Sequence, residues 1–370
     1  MSTGKTSTYI LVSLLFFAAI GLITGLYSGL LRIGFLSDMA PRQISHIAHG
    51  PLMINGFLGT LIGLERAAAL EKKWAYFAPV LMAASTIFLL SGLPLSGQWL
   101  ILLGALGLTC VMSYLYYLQP KIYHLIMALG AASLLVGNIL YVLHLPIYEL
   151  VAWWVAFPML TIFGERLELN RIMRPPKRAQ QLFATLIMLW IAALVLTHFN
   201  RSVGWILASL LLIGISGWLI KYDVARRTIK SESWTRYSAI SLLTGYGWLI
   251  LTGLFGFWRG FPTAGPLYDA LLHMIFVGFV FSMIFAHASV IIPSLSGKLV
   301  PYHKYFHLPL ILLHLFLLMR VAGDIAGWPA VRKIGSYGNV IAILLFLGGI
   351  IFQLIKATQI KKSKIKSTSN

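Results

Sequence analysis

Apolar stretches of about 17 to 26 residues recur along the whole chain, each bounded by a short polar or charged connection. At about 1.5 Å of rise per residue, a helix of that length crosses the roughly 30 Å hydrocarbon core of a bilayer. The pattern predicts twelve spans, at residues 9–31, 46–70, 74–94, 98–118, 124–144, 149–165, 180–198, 203–221, 237–258, 267–292, 305–322 and 337–355. The sixth carries Pro158 in its interior and Glu165 at its end. The first is long for a cleavable signal and no small-residue cleavage site follows it, so it reads as a retained anchor. No stretch is left for a soluble domain. The expectation is one all-α polytopic membrane bundle over 1–355, followed by a basic tail over 356–370.

Composition agrees, with 59% hydrophobic and 11% charged residues, and charge orients the bundle. Of the 29 Lys and Arg residues, 22 fall on the side of the N-terminus; the other side holds seven, Arg32, Arg42, Arg201, Arg259, Arg320, Arg332 and Lys333. The positive-inside rule then places both termini in the cytoplasm of a bacterial-type inner membrane, in keeping with an even number of spans. This asymmetry absorbs most of the net charge of +19, so no nucleic acid partner is implied. The tail Lys361-Lys362-Ser363-Lys364-Ile365-Lys366 reads as lying on anionic membrane lipid, with recruitment of a partner as the lesser reading. Cys110 is the single cysteine, which excludes an internal disulfide and a cysteine-built metal site.

A weak repeat links Phe57, Ile62, Glu65 and Arg66 in span 2 to Phe157, Ile162, Glu165 and Arg166 in span 6. With span 10 as a third member, it divides the bundle into three arcs of four helices. The plain reading of the Glu and Arg residues is ion pairing that locks helix ends. Proton loading at Glu165 or Glu168 is the sharper alternative.

An imidazole a turn or so inside a membrane helix is costly to leave idle, which singles out Ala48-His49-Gly50-Pro51 at the head of span 2. His273 lies early in span 10, and both spans enter from outside, so the two imidazoles are expected at similar depth. Two neutral imidazoles at one level are what a six-coordinate haem iron requires. Hydrogen-bonded interior histidines are the bland alternative. His46, three residues before His49, then becomes a supporting donor.

These residues resemble a known family. Ala48-His49-Gly50 with Leu52-Met53-Ile54 looks like the second helix of subunit I of the haem-copper oxidases. His273, followed by Phe281, Pro293 and Ser296-Gly297, resembles that subunit's tenth helix. The resemblance implies the twelve-helix fold, with His49 and His273 as axial ligands of one low-spin haem b. It also implies a place beside that haem for Arg32, which ends span 1. Trp328-Pro329-Ala330-Val331-Arg332-Lys333, expected in the outer loop after span 11, looks like the family's basic loop for the haem propionates, anions that need charge-assisted partners such as Arg332 and Lys333. The family's oxygen-reducing centre is not matched: span 6 has no histidine, span 7 has only His198 at its end, and Leu271 stands where a further haem ligand belongs. A reduced relative fits better, and the nearest group in kind is the NnrS-like haem- and copper-containing membrane proteins associated with nitric oxide stress.

His287 lies roughly 21 Å along the helix from His273 and serves a different level. With His303 and His307 near the start of span 11, it forms the nucleus for an inner copper or second haem site, interfacial histidines being the plainer reading. The expected function is electron transfer or a redox response by a b-type cytochrome whose electron donor and acceptor no motif names. A proton-coupled transporter and a nitric oxide metabolising enzyme stay open as alternatives.

Overall fold

The computed structural model describes residues 3–34 and 48–368, with side chains placed for 10–34, 48–171 and 173–359. Arg42 and His46 lie outside the described residues. Among the described residues there are helices and no strands, and eleven helices are long and apolar enough to cross a membrane. The chain is a multi-pass membrane protein. In chain order the helices are α1 (Thr3–Arg32), α2 (49–70), α3 (Phe77–Leu90), α4 (Pro94–Leu118), α5 (Ile122–Val142), α6 (Ile147–Leu169), α7 (Lys177–Leu196), α8 (Arg201–Tyr222), α9 (Ser233–Arg259), α10 (Gly265–Ser296), α11 (His307–Ala326) and α12 (Pro329–Thr368). The expected second span is α2, a run in three pieces: α-helical His49–Pro51, π-helical Leu52–Gly59 and α-helical Thr60–Leu70.

Local chemistry sets the ends. Pro94 and Pro329 open α4 and α12, where a missing N–H breaks no helical bond. Asn200 Oδ1 accepts from the Val203 N–H at 3.1 Å and caps α8. Gly297 and Gly327, both at φ 67°, close α10 and α11 in the left-handed conformation that a side chain disfavours. Gly327 and Trp328 alone connect α11 to α12, which corrects one expectation: Arg332 and Lys333 stand in the first turn of a helix, not in a loop. At its other end α12 runs on to Thr368, so most of the basic tail is helical.

The chain divides into two compact units, Met1–Arg171 with α1–α6 and Ile172–Asn370 with α7–α12. Lipid tails are as apolar as leucine, so membrane helices associate through close packing, and small residues permit it. In the first unit a Cβ at Gly21 of α1 would stand 2.7 Å from the Gly56 carbonyl carbon of α2, and one at Gly25 would stand 2.7 Å from Met53 Sδ. Gly130, Gly137 and Gly164 do the same between α5 and α6. In the second unit Gly278 of α10 admits the Trp248 ring of α9, while Gly323 and Gly335 bring α11 and α12 to backbone contact.

Candidate functional site

His49 opens α2 with its Nδ1 2.8 Å from the Gly25 carbonyl oxygen of α1. A carbonyl only accepts, so Nδ1 carries the proton and the ring's lone pair sits on Nε2, the arrangement that suits a metal ligand. Gly29 makes room for the ring: a Cβ there would stand 2.9 Å from both Cε1 and Nδ1 of His49. Gly21, Gly25 and Gly29, spaced one helical turn apart, thus bring α1 onto α2 and seat the imidazole. Below the histidine, the π segment carries the fully buried Asn55. Trp154 Nε1 on α6 donates to Asn138 Oδ1 on α5 at 2.8 Å, and Asn138 Nδ2 donates to Asn55 Oδ1 at 2.8 Å. This polar chain ties the widened turns to α5 and α6.

His273 ends the first α-helical piece of α10, and its Nδ1 lies 2.8 Å from the Asp269 carbonyl oxygen and 3.4 Å from Asp269 Oδ1. The same tautomer follows. The next residues, Met274–Phe281, form a π-helix. Among the described residues Leu52–Gly59 and Met274–Phe281 are the π-helical segments, and each begins within three residues of one of the two histidines. Such segments gather at functional sites because the widened turn displaces backbone and side chains from the regular helical lattice.

Asp269 is held in turn. Arg320 on α11 donates to it as a fork, Nε to Oδ2 at 2.9 Å and Nη2 to Oδ1 at 3.1 Å. Arg332 on α12 places Nε 2.8 Å from Asp324 Oδ1 and Nη2 3.6 Å from Asp269 Oδ2, and the Asp324 side chain is wholly enclosed. Charges inside membrane-crossing helices are tolerable only when compensated. Two carboxylates and two guanidiniums here compensate one another, and in fixing Asp269 they fix both atoms against which His273 rests.

The other sequence-selected residues are placed as follows. Lys333 is exposed beside Arg332, and Arg32 is exposed at the end of α1. His49 belongs to the first unit and His273 to the second. His287 Nδ1 donates to the Met283 carbonyl at 2.6 Å, His303 Nδ1 accepts from the Tyr305 N–H at 3.1 Å, and His307 Nε2 lies 3.1 Å from the Tyr302 hydroxyl. Among the described residues no three His, Cys, Asp or Glu side chains gather into a group that could hold a metal ion. Arg66 pairs with Glu165 and, at 3.4 Å, with Glu65, so the residues of the weak repeat tie the ends of α2 and α6 together. Sequence reasoning passed over Asp269, Arg320 and Asp324 as site residues. Asp269 stands one helical turn before His273, and an aspartate in an apolar span was itself a signal. The spacing of Gly21, Gly25 and Gly29 was another.

A family described as Domain of unknown function (DUF8744) matches residues 11–355, a stretch that takes in both histidines, both π segments and the whole Asp269 network. The chain belongs to that family. No curated protein matches it.

Proposed function

We propose that this protein is a membrane b-type cytochrome of the haem-copper oxidase subunit I type, serving electron transfer or a nitric oxide or redox response. In this reading His49 and His273 would hold one low-spin haem, within three arcs of four helices. Both termini face the cytoplasm of a bacterial-type inner membrane. One observation carries the proposal: an imidazole with its proton committed to a backbone carbonyl heads a π-helical segment, and this occurs twice. His124 and His287 also donate Nδ1 to carbonyls, but neither heads such a segment.

The donor set fits a haem. A haem supplies a one-electron couple when bound. The Gly25 and Asp269 carbonyls hold the protons on Nδ1, which puts the lone pair of each ring on Nε2. Arg320 holds Asp269 in place through both carboxylate oxygens. Arg32 and Lys333 offer exposed cations for propionates, and Arg332 has donors beyond those facing Asp324, since a guanidinium carries five. The separate bonding of His287, His303 and His307 lends no support to copper or a second haem, and the proposal is built without them.

The test is a dithionite-reduced minus oxidised spectrum of the full chain purified in detergent after expression with haem supplied. A narrow low-spin b-type difference band with about one haem per chain is expected. Folded protein without haem would overturn the reading. A proton-coupled transporter is the second reading, favoured by Asp269 and Asp324 lying with two arginines inside spanning helices. Colourless folded protein would select it.

A further inference from the structure

A groove of about 620 Å³ runs along one face of α12. Its α12 residues recur every three or four positions from Ile341 to Lys356, so they form a single stripe about 22 Å long. His303 and Tyr305, just before α11, make the opposite wall, and the Tyr305 hydroxyl donates to the Leu345 carbonyl at 3.2 Å, pinning that wall to the helix. The stripe changes character along its length. Ile341 and Leu344 make one end apolar. In the middle Gly348 leaves the backbone bare, a Cβ there meeting nothing within 4 Å, while Gly349 lies against the Tyr305 ring, 2.8 Å from where its Cβ would stand. At the other end Gln353, Lys356 and His303 bring polar and basic groups beside the exposed Phe352.

Length, polarity and charge together describe one kind of molecule. A bilayer is about 40–45 Å thick with its headgroups, so a stripe of about 22 Å matches a single leaflet. Apolar walls that give way to polar ones suit an acyl chain joined to a headgroup. The polar end is cationic, with Lys356 lining it and Lys304 exposed beside His303, and no acidic residue lines the groove. Cations at headgroup depth favour anionic over zwitterionic lipid.

We propose that this groove is a binding site for one anionic phospholipid, its chain lying along Ile341, Leu344 and the bare backbone at Gly348 and its phosphate held by Lys356, Gln353 and His303. The site is independent of the haem reading, since every residue in it lies at the end of α12 away from the Asp269 network.

Native mass spectrometry of the full chain in detergent tests this, with phosphatidylglycerol and phosphatidylcholine of identical chains added in turn and inorganic phosphate as a third addition. Phosphatidylglycerol is expected to be retained about fivefold more than phosphatidylcholine, and inorganic phosphate not at all. Lys356→Gln should abolish most of that preference, Lys356→Arg should keep it, and Lys121→Gln, a basic residue outside the groove, should leave it unchanged. Gly348→Leu, which fills the floor without touching the cations, should lower retention of both lipids. Equal retention of the two lipids by the unaltered chain, a preference that survives Lys356→Gln, or retention untouched by Gly348→Leu would each overturn the proposal.

Discussion

Asp269 and Arg320 are worth more as a pair than either is alone. Their side chains are only 16% and 10% exposed, so removing one leaves the other as a poorly solvated charge inside a spanning helix. Arg320→Met is therefore expected to destabilise the protein by about 3–5 kcal/mol, read as a lowered midpoint of thermal unfolding in detergent. Arg320→Lys should recover little, because an ammonium is a point donor and cannot reproduce the fork onto both carboxylate oxygens. The midpoint of Arg320→Met staying at the unaltered value would show the network to be idle. Under the haem reading, His49→Ala and His273→Ala should each remove the low-spin signal while His124→Ala and His198→Ala retain it; ligand variants with unchanged spectra would remove that assignment. The histidines were legible because an imidazole in an apolar run stands out by residue type. Arg332 was read as a cation looking for an external anion because its own counter-ion, Asp324, lies across a helix-to-helix turn and becomes its neighbour only once α11 and α12 pack.

Element by element, a helix records its membrane length openly and its bonding pattern hardly at all. The spans could be read because apolar length is a local property. The π segments could not: Leu52–Gly59 and Met274–Phe281 are almost wholly buried, so no polar face marks the turn that widens. The start of α12 was hidden for the opposite reason, since basic residues in the first turn after Pro329 look like a loop until the two-residue connection is seen. The glycine row on α1 offers a test at this scale. Gly29→Ala puts a methyl 2.9 Å from the His49 ring, so under the haem reading it should weaken or shift the low-spin spectrum while the protein still purifies as a folded species. Gly217→Ala on α8 meets nothing within 4 Å and should leave the spectrum as it was. Identical spectra from the two variants would separate the imidazole's seat from its proposed work.

For the molecule as a whole, the uneven placing of basic residues governs orientation. A reporter fused after Asn370 should be active only when cytoplasmic, and activity on the far side would reverse the depth argued for both histidines. Under the haem reading His49 and His273 would leave the iron no open position, so carbon monoxide added to the reduced protein should shift the Soret band little, and a large shift would show an open iron site.

The two imidazoles are made ready at different moments of synthesis. His49 takes its carbonyl from α1, which has already left the ribosome when α2 emerges. His273 brings a carbonyl from its own preceding turn, yet the carboxylate beside it is clamped only when Arg320 and Arg332 arrive on the last two helices. Chains released early would carry a seated His49 and a His273 whose aspartate is unclamped. Under the haem reading, a chain cut short before α11 would therefore lack the clamp that holds Asp269 beside His273.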